Sequence, residues 1–557
     1  MKRIIIIGGL SAGPSAGAKA RREDEEAEII LFEKTANISY ATCGIPYALS
    51  GVIESRDQLL VVEADQLRSR FNIDVHLEEE VLDVDAQNQV VITNKGEYTY
   101  DKLVFATGAR AIVPPIKNLD KVVNWSTCRT LKDFDKIMAL GMLNDTKHIT
   151  VLGGGLIGVE VAENLVKAGK QVTLVEGANH ILPIWEPEFS SLAENILKNE
   201  NIDIVTDKIV TELIHDHGEL TGIKLSDRSS VDTDFIVVSV GIKPNTDILE
   251  KQGAEVIGNG ALVVDSKMMT TLPNIYAAGD NASTKNLQTG ENGYFPLGTH
   301  SNKGGRAAGA NSANNETHFF GAQGTAIIKL FDYAMGRTGL SSRDLKRLGK
   351  QYKSNLIVAS STPGYYPNPK DMIVEVYYDS QTDELLGGQV FGQEGVDKRI
   401  DVLATAIYAK LKVTDLPHLD LAYAPPFSPA KDPVVVAGFV ATNSSTKDYE
   451  EISATDLARM ENVQIVDVRD ILEQKSEGII EGAMSIPLEE LRNRIDEIDA
   501  TADTVVYCAK GLRGYIAWLI LKHHGFRVKN LAGGFRMWQG VGMNIDYRAY
   551  GMTEAIP

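Results

Sequence analysis

The sequence predicts an α/β protein whose first half carries the same strand–turn–helix–strand unit twice. Three observations lead there. Lys2–Gly9 reads KRIIIIGG, and Glu28–Lys34 follows as EIILFEK. Lys147–Gly155 reads KHITVLGGG, and Gln171–Gly177 follows as QVTLVEG. Each pair is a buried parallel strand, a glycine turn, a helix and a second strand ending in glutamate, the opening of a dinucleotide-binding βαβ unit. Third, the texture changes from about residue 325. Ala326–Phe331, Met372–Tyr378 and Leu386–Phe391 read as antiparallel strands, and Lys398–Leu411 reads as a helix. The proline-rich Tyr423–Pro433 and a short apolar run come next, then the polar Thr442–Glu451, which reads as a linker. A compact alternation of short strands and helices closes the chain.

Composition bounds the function. The 557 residues suggest roughly three to five domains. A net charge of -19 argues against nucleic acid as a partner, without forbidding a local basic pocket. Cys43, Cys128 and Cys508 are the only cysteines, odd in number and far apart, so no disulfide framework or metal site is expected. A reducing cytoplasm is the expected compartment. The apolar run Ile4–Ile7 ends in Gly8-Gly9, too short for a signal peptide, and no run reaches the length of a membrane span.

At the first glycine turn, GGLSAG, the slots of G-x-G-x-x-G hold Gly8, Leu10 and Gly13, so the middle glycine is missing. Glu33 stands about 20 residues on, where an acid holds a ribose hydroxyl. The helix N-terminus would face a pyrophosphate. Phe105-Ala106-Thr107-Gly108 and IYAAGD, Ile275–Asp280, add a second turn and let Asp280 reach a ribityl chain after Gly279. FAD is expected here. The second turn, GGGLIGVE, keeps Gly153, Gly155 and Gly158, and Glu176 ends its following strand. That carboxylate accepts from the 2′-hydroxyl of NADH and repels the 2′-phosphate of NADPH, so NADH is expected, with NADPH possible. Two dinucleotides on one chain imply a hydride relay to a further acceptor.

Cys43 sits in SYATCGIPY, Ser39–Tyr47. Gly44 permits close backbone approach, and Pro46 suits a first helical turn, where a thiol tends toward thiolate. Packing is the alternative role for such a cysteine, but glycine and proline are poor core neighbours. Ala48 and Leu49 stand where a paired thiol would be. Cys43 must then cycle through a mixed disulfide, a persulfide or a sulfenate.

With these residues in view, positions 1 to about 440 resemble the single-cysteine branch of the pyridine nucleotide-disulfide oxidoreductases, including reductases of coenzyme A disulfide and coenzyme A persulfide. The resemblance implies a homodimer in which Tyr366 and Tyr423 reach the opposite subunit's Cys43. It implies a coenzyme A pocket lined by Lys19, Arg22, Ser39, Asn302, Lys303, Arg306, Lys398 and Arg399. It also extends the cofactor contacts to Gly9, Ala12, Lys34, Val81, Arg129, Leu156, Ile157, Glu160, Gly241, Leu297, Thr299 and Phe427. This chain departs from the family pattern at Leu10, Ala12, Thr42, Phe427 and Val435. The implied layout is an FAD-binding domain over 1–113 and 241–322, an NAD(P)H-binding domain over 114–240, an α+β dimerisation domain over 323–441 and a linker over 442–451.

Residues 452–557 resemble a rhodanese domain, an α/β module of sulfur transfer. Asp467-Val468-Arg469 ends a strand, and GIIEGAMSIP matches the usual motif except at Ile479. The active loop runs Cys508-Ala509-Lys510-Gly511-Leu512-Arg513, with Ala532-Gly533-Gly534 later. Successive backbone N–H groups, with Lys510 and Arg513, would cradle an anion at Cys508. Cys128 reads as structural. Three functions stay open: reduction of coenzyme A persulfide, polysulfide or coenzyme A disulfide; an NADH oxidase or peroxidase cycling through a sulfenate; and a flavin-based sulfur sensor. The fusion of two sulfur-handling cysteines favours the first.

Overall fold

A computed structural model describes residues 2–547 and divides into two compact bodies. One holds the chain up to Asn179 together with Asn201–Gln323; the other holds His180–Glu200 and the chain from Gly324 on.

The first body contains both predicted units. In one parallel sheet the strands run Ile275–Ala277, Lys102–Phe105, Arg3–Ile7, Glu28–Phe32 and Asp74–His76. In the other they run Ile202–Val205, Gln171–Val175, His148–Leu152, Phe235–Val238 and Trp125–Thr127. Ile4–Ile7 lie at 0–6% exposure, because the core around this sheet is filled by helix residues such as Ala16 and Ala308 and by Val84 and Val91 of a three-stranded antiparallel sheet, which explains the unbroken apolar run. The helix Gly298–Ser312 packs along Ala12–Glu23 through two glycines. A Cβ on Gly305 would stand 2.4 Å from the Ala12 carbonyl oxygen, and one on Gly309 2.1 Å from that of Ala16.

In the second body a five-stranded antiparallel sheet runs Ala326–Leu330, Tyr333–Gly339, Leu385–Gly392, Asp371–Asp379 and Tyr352–Ser360. Helices Val396–Tyr408 and Pro433–Lys447 supply Ile400, Leu403, Val434 and Ala437 to the core against it. Two of these strands, Tyr333–Gly339 and Tyr352–Ser360, had no counterpart in the sequence reading. A parallel sheet follows in the order Glu451–Ile452, Val528–Leu531, Thr504–Tyr507, Gln464–Asp467, Met484–Ser485.

Two expectations need revision. Thr442–Glu451, expected as a linker, is helical as far as Lys447. Its hydroxyls are engaged: Thr442 donates to the Gly438 carbonyl, Thr446 to that of Thr442, and Ser445 to Asp383. The polar composition marks a hydrogen-bonded helix face. Residues 180–200, expected within the second nucleotide domain, group with the second body. Glu186 there accepts from Ser342 N and Oγ at 2.8 and 2.7 Å, and Glu188 accepts from Thr455 N at 2.8 Å.

Candidate functional site

The two glycine turns are the same device built twice. Gly8 and Gly153 take φ of 107° and 101°, a region that favours glycine. Each donates its N–H to the neighbouring strand, to the carbonyl of Phe32 or of Val175, at 2.8 Å. A Cβ on Gly13 would lie 1.8 Å from the Gly8 carbonyl oxygen, and one on Gly158 1.8 Å from that of Gly153. The glutamates match as well. Glu33 accepts from Gly9 N at 2.9 Å and Thr35 N at 2.8 Å; Glu176 accepts from Gly154 N at 2.6 Å and Ala178 N at 2.8 Å. Around Gly155 a Cβ would meet nothing within 4 Å, which leaves room for a pyrophosphate at the helix start.

The residues beside the first turn fit a flavin dinucleotide. Asp280 follows Gly279, whose φ is 96°. Its carboxylate meets Arg129 Nη2 at 2.8 Å, and Arg129 Nε donates to the Ala109 carbonyl at 2.7 Å. Asn281 Oδ1 and Ser283 Oγ are buried with no hydrogen-bond partner, as acceptors and donors awaiting a polar ligand would be. Thr107 donates to the Asn245 carbonyl at 2.6 Å, and Gly108 and Gly241 hold φ of 63° and 114°. Leu297 caps the helix that begins at Gly298 and carries Thr299. Val81 begins the strand Val81–Asp85, and Lys34 is exposed.

Cys43 is exposed on a tight turn, Thr42–Gly44, that leads into the single-turn helix Ile45–Leu49. That turn is tied to both cradles. Ser39 N donates to the Gly9 carbonyl at 2.8 Å, on the flavin side. Tyr47 Oη donates to Glu160 at 3.1 Å and Ser50 Oγ to Asn164 at 2.6 Å, both on the helix after the second glycine turn. Burial pushes Glu160 up to about 7; the Tyr47 phenol opposes the shift and the Glu163 charge adds to it. Among the described residues all three cysteines are free. Cys128 is buried, and burial raises its thiol.

The pocket residues fall into two groups. Ser15 Oγ meets Asn302 Oδ1 at 2.6 Å across the paired helices, and one turn further on come Lys19 and Arg306. Lys19 is paired with Glu23, and Arg22 lies 5.9 Å from the Phe71 ring. In the second body Lys398 donates to the Ala422 carbonyl at 3.3 Å. Arg399 is 1% exposed, and Asp432 at 3.0 Å already matches its charge. It holds the fold together and is not available to a phosphate. Tyr365 Oη meets Tyr423 Oη at 3.3 Å, and the expected Tyr366 beside it is half-buried. Tyr365, Tyr423 and Phe427 are all exposed.

Cys508 ends the strand Thr504–Tyr507 at 2% exposure, and Gly511 N donates to its sulfur at 3.1 Å. The Gly533-Gly534 turn lets Phe535 N reach the Cys508 carbonyl at 2.8 Å; a Cβ on Gly534 would sit 2.3 Å from that oxygen. The cations expected to hold a donor's charge each have a carboxylate. Lys510 meets Asp371 at 2.5 Å, and Arg513 makes a two-pronged pair with Glu473 at 2.6 and 2.7 Å that holds this acid down at about 2. The cradle at Cys508 is therefore made of backbone. Below it Arg469 and Asp467 form a fully buried pair at 2.7 Å, with Arg469 over the Phe535 ring. Ile479 is buried and pairs with Asp546. Glu160's partner Tyr47, the phenol of Tyr365 and the acids Asp371 and Glu473 escaped the sequence reading, since no motif spacing marks them.

The chain matches three family models: pyridine nucleotide-disulphide oxidoreductase over residues 2–296, its dimerisation domain over 325–433, and a rhodanese-like domain over 453–540. It is 34% identical over 441 residues to the NAD(P)H coenzyme A polysulfide/persulfide reductase of Pyrococcus horikoshii, covering 78% of this chain and 97% of that one. The solved structure of reduced Bacillus anthracis CoADR-RHD is similar with a TM-score of 0.92 at 35% identity, covering 97% of this chain and 98% of that one. That of a NAD-dependent persulfide reductase from A. fulgidus reaches 0.91 at 34% identity, covering 96% and 100%. No helix among the described residues is long and apolar enough to cross a membrane.

Proposed function

Since the chain belongs to the pyridine nucleotide-disulphide oxidoreductases and carries a rhodanese-like domain, we propose that it is an FAD-containing reductase of coenzyme A persulfide, polysulfide or coenzyme A disulfide, driven by NAD(P)H. The observation that carries this reading is the Cys43 turn, an exposed thiol tied to both cradles and lacking a second thiol nearby.

The chain's own groups divide the work. Cys43 thiolate attacks the outer sulfur of a persulfide; coenzyme A leaves as its thiol and Cys43 keeps the sulfane sulfur. With coenzyme A disulfide the attack leaves a Cys43–coenzyme A mixed disulfide and one free coenzyme A. When bound, NAD(P)H would supply two electrons and FAD would relay them. With two protons these release hydrogen sulfide or the second coenzyme A and restore the thiol. Glu176 favours NADH over NADPH by its charge at the ribose. Lys19, Arg22 and Arg306, with Ser39 and Asn302, hold the phosphates and the arm of coenzyme A. Tyr423 with Tyr365 or Tyr366, arriving from the second subunit of a homodimer, donates to the leaving thiolate. Cys508 loads or unloads persulfide sulfur on its backbone cradle. Three free thiols suit the cytoplasm.

Sulfide release and peroxide consumption measured side by side test this reading. We expect NADH oxidation to require the sulfur substrate and to yield sulfide or coenzyme A in proportion. Oxidation sustained by oxygen or peroxide alone would overturn it in favour of an oxidase.

A further inference from the structure

A continuous hydrogen-bonded path runs from the antiparallel sheet to the sulfur of Cys508. It begins in the strand Tyr352–Ser360, where Asn355 Nδ2 and Leu356 N donate to Glu451 Oε2 at 2.9 and 3.2 Å. Tyr449 Oη donates to the other oxygen of that carboxylate at 3.0 Å and accepts from Asn530 Nδ2 at 2.6 Å. Asn530 Nδ2 also donates to the Gly511 carbonyl at 3.1 Å, and Gly511 N donates to Cys508 Sγ. Tyr449, Asn530 and Asn355 are 5%, 1% and 2% exposed, so the path is shielded from bulk solvent. The Tyr449 ring is fixed edge-on against Trp518 at 5.1 Å. The far end is anchored too, since Asn355 also donates to Ser444 Oγ and accepts from Tyr378.

We propose that Glu451, Tyr449 and Asn530 are positioning residues for Cys508, which hold Gly511 so that its N–H points at the sulfur and make the thiol's reactivity depend on the neighbouring antiparallel domain. The proposal rests on the reading of Cys508 as a sulfur carrier. A hydrogen bond to the thiolate favours the charged form, so loosening Gly511 raises the pH at which Cys508 becomes nucleophilic. A residue that only packed would leave that pH where it is.

The test is peptide-resolved alkylation of Cys508 by iodoacetamide against pH, on the full-length holoenzyme. Tyr449→Phe keeps the ring against Trp518 and removes the phenol. Asn355→Ala loosens Glu451 from the other domain. Both should move the Cys508 profile to higher pH and slow alkylation at neutral pH by about threefold or more, as half a pK unit would. Alkylation of Cys43 and NADH-dependent reduction of coenzyme A disulfide, which needs no sulfane sulfur, should stay as in the wild type. Profiles of Cys508 that coincide with the wild type in both variants would overturn the proposal. If Tyr449→Phe fails to fold, Asn355→Ala decides alone. Failure of wild-type Cys508 to take up sulfane sulfur from a polysulfide would instead count against the carrier reading, and the alkylation profiles separate the two outcomes.

Discussion

In the proposed reaction Cys43 exchanges with the substrate and not with a partner thiol, and that decides what a change at Cys43 does. Cys43→Ser should lower sulfide or coenzyme A release by roughly 10³-fold or more, while NADH still bleaches the flavin absorbance; stopped-flow of the two half-reactions checks this. Glu160 yields a second prediction. Its ordinary value is 4.5 and burial carries it to about 7. The folded chain therefore binds this proton more tightly than the unfolded chain does. The stabilisation is full below about pH 4.5 and is lost as pH rises through 7, roughly 3 kcal/mol in all. Glu160→Gln mimics the protonated form. Its melting temperature should match the wild type at pH 4 and exceed it at pH 8; equal curves at both pH values would contradict the assignment. The exposure of Cys43 agrees with its setting in a turn, although Gly44 and Pro46 beside it are buried. The buried state of Arg399 was not legible, because its counter-charge Asp432 lies far along the chain and no local pattern announces it.

Among the elements, the two glycine turns were the most legible, since a close backbone approach admits no other residue and leaves a fixed spacing behind. The same constraint makes them separable by mutation. Gly158→Ala forces a methyl onto the Gly153 carbonyl and should raise the KM for NADH at least about tenfold while FAD stays bound. Gly13→Ala does the same at Gly8 and should cost FAD itself. Flavin content of the purified variants distinguishes them, and loss of flavin from Gly158→Ala would show that the two sites had been assigned the wrong way round. Elements fixed by distant partners were harder to read. Thr442–Lys447 has a linker's composition, yet its hydroxyls bond to the helix backbone and to Asp383 in the turn between two strands. The contact of Tyr365 with Tyr423 carries no local signal, because a turn, unlike a strand, gives neighbouring side chains no fixed alternation.

At the scale of the whole molecule, Cys43 lies in one compact body and Tyr365 and Tyr423 lie in the other, and the proposed reaction needs them together. A homodimer in which each subunit lends its tyrosines to the other's cysteine makes a prediction that no single-chain arrangement shares. Cys43→Ser and Tyr365→Phe/Tyr423→Phe chains are each expected to be weak as pure dimers. Unfolded together and refolded with FAD, they form mixed dimers. In each mixed dimer one site pairs the surviving cysteine with the surviving tyrosines, and the other site has neither. Activity should therefore reappear on mixing, and co-purification through two different affinity tags should enrich it to one working site per dimer. If the tyrosines served the cysteine of their own chain, every mixed dimer would hold two damaged sites and mixing would restore nothing.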